Sequence, residues 1–221
     1  MTDLERTIGY TFKDPSLLRR AMTHSSYINE HGLSKPDCNE RLEFLGDALL
    51  ESVASVFLYH RFPDLMEGEL SKRRAALVCE RALAVSAREI GIPDALILGK
   101  GMEKSNARSS DSVTSDAFES LIAALYLDGG FESAKRLIDT HVLNDADEKM
   151  ISYDAKTALQ EILQKEGRAF SYHLVSESGP DHDREFTVEV RVEDLSYGRG
   201  TAKSKKQAEQ AAALEAIRKL R

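Results

Sequence analysis

The sequence predicts an all-α N-terminal domain followed by a small α+β domain with the element order α-β-β-β-α. Apolar residues recur at helical spacing around two acidic segments, 39–47 and 115–119, that lie about 70 positions apart. Further along the chain, Phe186, Val188 and Val190 alternate with polar residues, which indicates a half-buried strand. A chain of 221 residues suits two modest domains. The expected division is a helical domain over 1–147, a linker over 148–152 and the α+β domain over 153–221.

The helical domain is expected to consist of helices joined by loops that contain glycine or proline. Apolar periodicity and helix-start signals place the helices at residues 15–18, 40–60, 70–90, 112–127 and 131–142. Glycine and proline interrupt the pattern over 32–36 and 99–108, which are predicted loops. The charged segment 144–154 has no strong periodicity and is interpreted as a linker, although part of it could extend the preceding helix.

The first acidic segment places three carboxylates on one face of its helix. At 100° per residue, Glu40, Glu43 and Asp47 fall within a stripe of roughly 60°. Carboxylates on a helix of this kind are costly to bury unless they are paired, protonated or bound to a cation. The apolar residues between and after them are expected to lie in the core: Leu42, Phe44, Leu45, Ala48 and Leu49.

The second acidic segment repeats this arrangement. Asp116 and Glu119 are spaced i, i+3 and therefore share a helix face. Buried salt bridges would explain one such pair, with Arg41, Arg73 or Arg74 as the candidate partners. Two pairs on separate amphipathic helices instead favour a shared metal site. Ligands that are all carboxylates suit Mg²⁺ or Mn²⁺ far better than zinc or copper.

A carboxylate-bridged di-iron site is the main alternative metal site. Such a site normally needs a Glu-x-x-His step to supply an imidazole ligand. Gly46 stands three residues after Glu43, and Ile122 stands three residues after Glu119. The nitrogen ligands are missing, which favours redox-silent magnesium chemistry.

The α+β domain is predicted from a regular succession of short elements. These are a helix at 157–164, strands at 170–175, 186–192 and 195–201, a loop at 178–182, and an alanine-rich helix at 207–220. Directly before that last helix, residues 199–206 supply four cations. A helix N-terminus already favours anions through its dipole and its free N–H groups. Taken alone, such a charge run is usually a solvated face.

Composition and charge indicate a cytoplasmic enzyme rather than a membrane or secreted protein. No apolar run approaches the roughly 18 residues of a membrane span, and the N-terminus does not resemble a signal peptide. Cys38 and Cys79 fit no metal-ligand spacing and are expected to be spectators rather than a disulfide. The net charge is −7, but residues 153–221 hold 12 basic and 12 acidic residues. A neutral domain can still bind phosphate where its cations cluster.

Together these motifs resemble bacterial ribonuclease III, a family of endonucleases that cut double-stranded RNA. Residues 39–48, Asn-Glu-Arg-Leu-Glu-Phe-Leu-Gly-Asp-Ala, resemble the family signature, and residues 115–124 resemble its second acidic motif. Upstream, Tyr10-x-Phe12 and residues 17–26 are similar to its first helices. The similarity runs from about residue 4 to about residue 220, and the ten-residue signature is highly specific.

The resemblance implies a role for each acidic residue. It implies that the catalytic Mg²⁺, which Mn²⁺ can replace, is coordinated by Glu43, Asp47, Asp116 and Glu119. Of these, Asp47 and Glu119 are implied to be the most important for catalysis. Glu40, on the same stripe, and Glu67, in a further acidic position, are possible outer residues of the metal site. No small-molecule cofactor beyond the metal is expected.

The C-terminal domain resembles the double-stranded-RNA-binding domain. Domains of this kind span about 16 base pairs and recognise shape through 2′-hydroxyls and phosphates rather than base sequence. The resemblance implies three contact regions: Thr157, Gln160 and Glu161 in the first helix, His182 in the loop, and Lys203, Lys205 and Lys206 at the closing helix. Alternatively, Gln160 and Glu161 could be plain helix surface.

The resemblance also implies a homodimer that cuts both strands of an RNA duplex. One site cleaves one strand, and a two-fold symmetric pair of sites matches the two antiparallel strands. The expected products carry a 5′-phosphate and a 3′-hydroxyl with a short 3′ overhang, and precursors of ribosomal RNA are the expected substrates. Two alternatives remain open. They are a catalytically silent double-stranded-RNA-binding protein, and a metal-dependent hydrolase of a small phosphorylated substrate.

Overall fold

The computed structural model describes residues 1–180 and 183–220, except for the side chain of Lys35. The chain forms two compact units, Met1–Ala146 and Asp147–Arg221. The first unit is helical apart from one isolated parallel bridge between Thr23 and Ile97. The second unit is a three-stranded sheet with helices. The predicted fold class, an all-α part followed by a small α+β domain, is therefore confirmed. Within the described residues, no helix is long and apolar enough to cross a membrane.

The helices of the first unit follow one another with short connections. They are α1 (Asp3–Ile8), α2 (Pro15–Ala21), α3 (Ser25–His31), α4 (Glu40–Arg61), α5 (Glu67–Val78), α6 (Glu80–Glu89), α7 (Ile92–Ala95), α8 (Lys100–Lys104), α9 (Asp111–Gly129) and α10 (Phe131–Ile138). A π-helical turn, Asp139–Leu143, continues α10.

The core of the first unit lies between α4 and α9, which pack along each other over much of their length. Leu50 and Leu58 of α4 and Phe118, Leu121 and Ile122 of α9 are almost completely buried. These residues recur at the spacing that forms one face of a helix. Packing of these faces brings the two acidic segments to the same place.

Two predictions about the helices are wrong in detail. The segment 70–90 is not one helix, because Cys79 adopts an extended conformation (φ −67°, ψ 151°) between α5 and α6. No glycine or proline marks that break, so periodicity alone could not show it. The predicted loop at 99–108 contains α8 and a 3₁₀ turn, Ala107–Ser109.

Two residues that were expected in the core lie on the surface. Phe44 is 82% exposed, and Ala48, one turn further along α4, is exposed as well. Leu42 on the same helix is buried as expected, whereas Leu45 and Leu49 are partly buried. The face of α4 that carries Phe44 points away from α9, so the unit itself leaves it uncovered.

The second unit is an antiparallel sheet packed against two helices. Its elements are α11 (Ala146–Tyr153), α12 (Ala155–Lys165), β1 (Phe170–Ser178), β2 (Glu185–Val192), β3 (Leu195–Ala202) and α13 (Lys205–Leu220). The strand order is β1-β2-β3. Val188, Val190 and Val192 are fully buried and form one core with residues of α12 and α13. The alternation seen in the sequence therefore describes β2 correctly.

Close approach of α13 to β3 explains the alanine-rich sequence of this helix. A Cβ on Gly198 or Gly200 would come closer than 3.0 Å to the main chain of Ala212 or Ala208. Both alanines are fully buried. Small residues on both elements let the helix backbone lie directly on the strand.

The segment expected to be a linker has regular structure. Residues 148–152 lie within α11, and Ile151 packs against the core of the second unit. Asp154 then ends this helix and caps α12, where its side chain accepts a hydrogen bond from Thr157 N. The assignment of 148–152 as the boundary between two domains stays a prediction.

Candidate active site

The N-terminus of α4 is fixed by hydrogen bonds to two other parts of the first unit. Asn39, which is 2% exposed, donates its backbone N–H to Thr23 O at 2.9 Å. Its backbone carbonyl accepts the hydroxyl of Ser120 at 3.2 Å. The carbonyl also accepts the N–H groups of Leu42 and Glu43 in the first turn. The start of the first acidic segment is thereby attached to α9 next to the second.

A glycine sets the distance between the two acidic helices. Gly46 is buried in α4, and a Cβ at this position would come closer than 3.0 Å to the main-chain carbonyl of Glu119. Any other residue type would push α4 and α9 apart. Asp47 follows Gly46 directly, and Glu43 precedes it by three residues. The contact therefore holds these carboxylates beside Glu119.

Four carboxylates lie close enough for their charges to act on one another. Burial and the nearby charges of Asp47, Glu43 and Asp116 raise the pKa of Glu119 to about 8. Burial and the charges of Asp116, Glu40 and Asp47 also raise the pKa of Glu43. The pKa of Asp116 is raised chiefly by burial. A cluster of like charges, partly shielded from water, is the environment that a divalent cation stabilises.

The salt-bridge interpretation of the acidic residues does not fit this arrangement. The charges that raise the pKa of Glu119, besides its burial, are all carboxylates: Asp47, Glu43, Asp116 and Glu51. Arg74, one of the expected partners, instead pairs with Glu51 at 3.5 Å. Arg73 lies over the ring of Phe62, 4.6 Å from its centroid. Among the described residues, the positive charge found to act on Glu43, Asp116 or Glu119 is that of His24, and it acts on Asp116 alone.

The donor set fits a hard divalent cation. All four side chains offer carboxylate oxygen, which is the ligand type that Mg²⁺ and Mn²⁺ prefer. Within residues 1–180 and 183–220, no three acidic, histidine or cysteine side chains are already arranged to hold one metal ion. Glu43, Asp47, Asp116 and Glu119 are the residues that would hold such a cation.

The two possible outer residues lie in different surroundings. Glu40 is exposed in the first turn of α4, and its charge acts on Glu43. Glu67 is exposed in the first turn of α5, where its carboxylate accepts the hydroxyl of Ser71 at 3.1 Å. It is not among the charges that act on Glu43, Asp116 or Glu119. The structure thus shows an effect of Glu40, but not of Glu67, on the pKa values of these acids.

The expected phosphate-binding lysines are exposed, but they differ in their partners. Lys205 and Lys206 lie in the first turn of α13 and form no ion pair within the described part of the chain. Lys203 is paired with Asp183 at 2.6 Å and Glu185 at 3.2 Å. Cations at a helix N-terminus are unfavourable for the helix dipole unless an anion lies near them. Lys205 and Lys206 are therefore the better placed for phosphate.

The other expected RNA contacts are described only in part. Gln160 and Glu161 are exposed on α12. Thr157 is exposed too, and its hydroxyl donates to Asp154 at 2.7 Å as part of the helix cap. His182 lies outside the residues that the structure describes.

Comparison with known proteins assigns both units. The first matches the model of the family described as ribonuclease-III-like, over residues 14–146. The second matches the double-stranded RNA binding motif over residues 155–220. Ribonuclease 3 of Caldanaerobacter subterraneus subsp. tengcongensis is 47% identical over 224 residues, which cover 100% of this chain and 98% of that protein. Ribonuclease 3 of Bacillus cereus is 44% identical over 220 residues, which cover 98% of this chain and 90% of that protein.

The chain belongs to the ribonuclease III family. Solved structures agree, since the ribonuclease III nuclease domain of Campylobacter jejuni superposes with a TM-score of 0.58 at 41% identity. That match covers 63% of this chain and 96% of the other, whose structure is described for flexibility in a region involved in dimer formation. The expectation of an enzyme of the ribonuclease III type is thereby confirmed. The roles of individual site residues stay predictions.

Three residues near the ribonuclease III acidic motifs were missed in the sequence. Glu51 adds its charge to those that raise the pKa of Glu119. Its position one turn after Asp47 on the same helix was an available signal. Glu80 and His24 act on Asp116 with opposite signs. They come from α6 and from the residue before α3, and no local spacing relates them to the motif.

Proposed function

We propose that the protein is an endoribonuclease that hydrolyses phosphodiester bonds in double-stranded RNA with the help of divalent metal ions. The observation that carries this proposal is the convergence of Glu43, Asp47, Asp116 and Glu119, where burial and the neighbouring negative charges raise the pKa of Glu119 to about 8. Such a cluster binds a cation strongly because the ion offsets both the repulsion and the burial of the charges. Mg²⁺ is the proposed ion, and Mn²⁺ is expected to substitute.

The four acids would hold two Mg²⁺ ions at the scissile phosphate. When bound, the two ions supply an activated water, neutralise the non-bridging oxygens and stabilise the departing 3′-oxygen. The contribution of the chain is to fix these acids on two rigid helices, since Gly46 and Ser120 hold α4 against α9. Products with a 5′-phosphate and a 3′-hydroxyl follow from this chemistry. A short 3′ overhang belongs to the same proposal.

A homodimer is proposed as the form that cuts both strands. The exposed face of α4 carries a stripe of large apolar side chains: Phe44 is 82%, Tyr59 69% and Val56 55% exposed. At Phe44 this stripe lies next to the one that carries the acids. A second copy of the chain packed on it would bury these side chains and bring two acidic clusters near one another. The dimer region named for the Campylobacter jejuni structure is consistent with this arrangement.

The two units are proposed to divide the work. Residues 1–147 would carry the cleavage site, and residues 153–221 would hold the duplex. The second unit presents Lys205 and Lys206 at the N-terminus of α13 and Gln160 on α12. Domains of its type contact the duplex across about 16 base pairs through phosphates and 2′-hydroxyls. Binding is then independent of base sequence, and processing of ribosomal RNA precursors and other structured transcripts in the cytoplasm is the proposed task.

One experiment separates this function from its alternatives. The full-length protein is incubated with a long RNA duplex in Mg²⁺, in Ca²⁺ and in excess chelator. Cleavage in Mg²⁺, with binding but little turnover in Ca²⁺, is expected because Ca²⁺ is larger and has looser coordination geometry. Binding without cleavage in Mg²⁺ would identify a catalytically silent RNA-binding protein. The absence of both binding and cleavage would indicate a hydrolase that acts on a small phosphorylated substrate. Full activity in chelator would contradict the metal-dependent mechanism.

A further inference from the structure

An arginine lies beside the acidic cluster and is held there by two contacts with α4. Arg74 of α5 places its guanidinium 3.5 Å from the carboxylate of Glu51. It also donates a hydrogen bond to the hydroxyl of Ser55 at 3.0 Å. That hydroxyl in turn donates to the backbone carbonyl of Glu51 at 2.7 Å. The side chains of Arg74 and Glu51 are 35% and 42% exposed, so the pair is only partly screened by water.

Glu51 is close to the cluster, but it is not one of the four acids proposed to hold the metal. It follows Asp47 by one helical turn, and residues at this spacing are neighbours on the helix surface. Its charge also acts on Glu119. Without Arg74, the cluster would therefore have a further uncompensated carboxylate on α4.

We propose that Arg74 is a positioning residue that offsets the charge of Glu51 and holds this side chain on α4, and thereby sets the affinity of the acidic cluster for divalent cations. This inference rests on the proposed metal-dependent function and deepens it. Coulomb energy depends on the sum of nearby charges, so each added or removed unit charge changes the binding of a divalent ion. Partial exposure and salt screening limit the effect to a change in affinity of about threefold to tenfold.

The direction of the change distinguishes an electrostatic role from a merely structural one. Removing the cation in Arg74→Gln should tighten cation binding, because Glu51 is then uncompensated. Removing the anion in Glu51→Gln should weaken binding by a similar factor. The double variant should return to nearly the wild-type affinity, since both charges are gone. Loss of a structural contact would weaken binding in all three proteins.

The test measures Ca²⁺ affinity by isothermal titration calorimetry on the full-length protein without RNA, so that the readout is independent of cleavage. Lys72→Gln is the matched control, because Lys72 is an exposed cation on α5 two residues before Arg74 and so on the other side of the helix. Its affinity should change by less than about twofold. Arg74→Lys keeps the charge and should stay near wild type. Thermal unfolding of each variant shows whether it is folded.

Each outcome decides the inference. The inference is supported if Ca²⁺ affinity is higher in Arg74→Gln, lower in Glu51→Gln and close to the wild-type value in the double variant. It is overturned if Arg74→Gln matches the Lys72→Gln control, or if the double variant stays as weak as Glu51→Gln. It is also overturned if Arg74→Gln lowers the unfolding temperature but leaves Ca²⁺ affinity unchanged, which would make Arg74 only a helix contact. Absence of Ca²⁺ binding in the wild type would contradict the proposed metal site as well, which separates the two failures.

Discussion

Gly46 of α4 lies directly against the main-chain carbonyl of Glu119 in α9, so close that a Cβ on Gly46 would come within 3.0 Å of it. The glycine is helical, and no unusual backbone angle requires it. Its function is to remove side-chain volume where two helices meet. The same contact holds Asp47 and Glu43 beside Glu119, so that helix packing and the geometry of the acidic cluster depend on one residue.

Replacing Gly46 by Ala should therefore damage stability and activity together. The added methyl group meets backbone atoms, which cannot move aside as a side chain can, and overpacking of this kind costs about 1–3 kcal/mol. Thermal unfolding and single-turnover cleavage measure the two effects. Gly68→Ala is the control, because Gly68 lies in a helix with no atom within 4 Å of the added Cβ. A Gly46→Ala protein as stable and active as that control would show that the helices can adjust.

A second prediction concerns the exposed face of α4. Phe44→Ser should convert the proposed dimer to a monomer, because the largest apolar side chain of the exposed stripe is lost from the proposed interface. Light scattering coupled to size-exclusion chromatography gives the mass directly. Leu195→Ser in β3 removes an apolar side chain that is also highly exposed, at 65%, and should leave the mass unchanged. If the Phe44→Ser protein remains dimeric, the interface lies elsewhere.

The exposure of Phe44 shows what the sequence could and could not predict. Helical periodicity correctly placed Leu42 of α4 in the core, and alternation correctly described β2. Periodicity does not tell which of two apolar faces is covered within one chain, because a face buried by a second copy has the same pattern. Phe44 was expected in the core, whereas it is 82% exposed on the chain.

The acidic cluster was more predictable than its surroundings. Glu43 and Asp47 could be paired with Asp116 and Glu119 because each pair shares a face of its own helix. Glu80 and His24 act on Asp116 only because tertiary packing brings them near it, and sequence spacing cannot predict this. The break at Cys79 was hidden for a similar reason, since no helix-breaking residue type stands there.

A third prediction concerns the pH dependence of stability. Glu5 is 6% exposed and its carboxylate accepts the N–H groups of Thr2 at 2.7 Å and Phe12 at 3.0 Å. These backbone hydrogen bonds lower its pKa. A lowered pKa of an acid stabilises the folded state above the ordinary value of 4.5, and this contribution is lost as the pH falls through the folded value.

Glu5→Gln should consequently be less stable than wild type at pH 7 by roughly 1–3 kcal/mol, the typical loss for a hydrogen bond to a charged group. The difference should shrink as the pH is lowered below 4.5, because the wild-type side chain then becomes neutral as well. Urea unfolding at pH 7 and in acid measures both values. Glu132→Gln, at an exposed first-turn position of α10, is the control and should show little difference. If the difference in unfolding free energy between wild type and Glu5→Gln stays constant with pH, the lowered pKa of Glu5 is contradicted.

A fourth prediction concerns phosphate binding by the second unit. Changing Lys205 and Lys206 to Ala should weaken binding to every duplex sequence, and should reduce the slope of log affinity against log salt by about one per lost phosphate contact. The cleavage rate at saturating RNA should stay nearly normal, because neither lysine belongs to the acidic cluster. The control removes two other exposed cations of this unit, with Lys165→Ala and Arg218→Ala. Equal salt slopes for the two double variants would mean that overall charge, not this position, governs binding.

The fifth prediction separates metal binding from RNA binding. Glu119→Gln keeps the size of the side chain and removes a charge that the proposed metal site needs. Cleavage should fall by orders of magnitude, because water activation and leaving-group stabilisation depend on the same ions. RNA binding should persist, because Glu119 is not among the residues proposed to contact the duplex. In metal-free buffer at neutral pH the variant should unfold no earlier than wild type, because burial and repulsion raise the pKa of Glu119 to about 8 and make its charged form unfavourable. Single-turnover cleavage, gel shift and thermal unfolding measure the three effects.

Glu89→Gln, at an exposed position that ends α6, is the control for Glu119→Gln and should behave as wild type in all three measurements. Loss of RNA binding together with cleavage in Glu119→Gln would show that this residue holds the duplex rather than the metal.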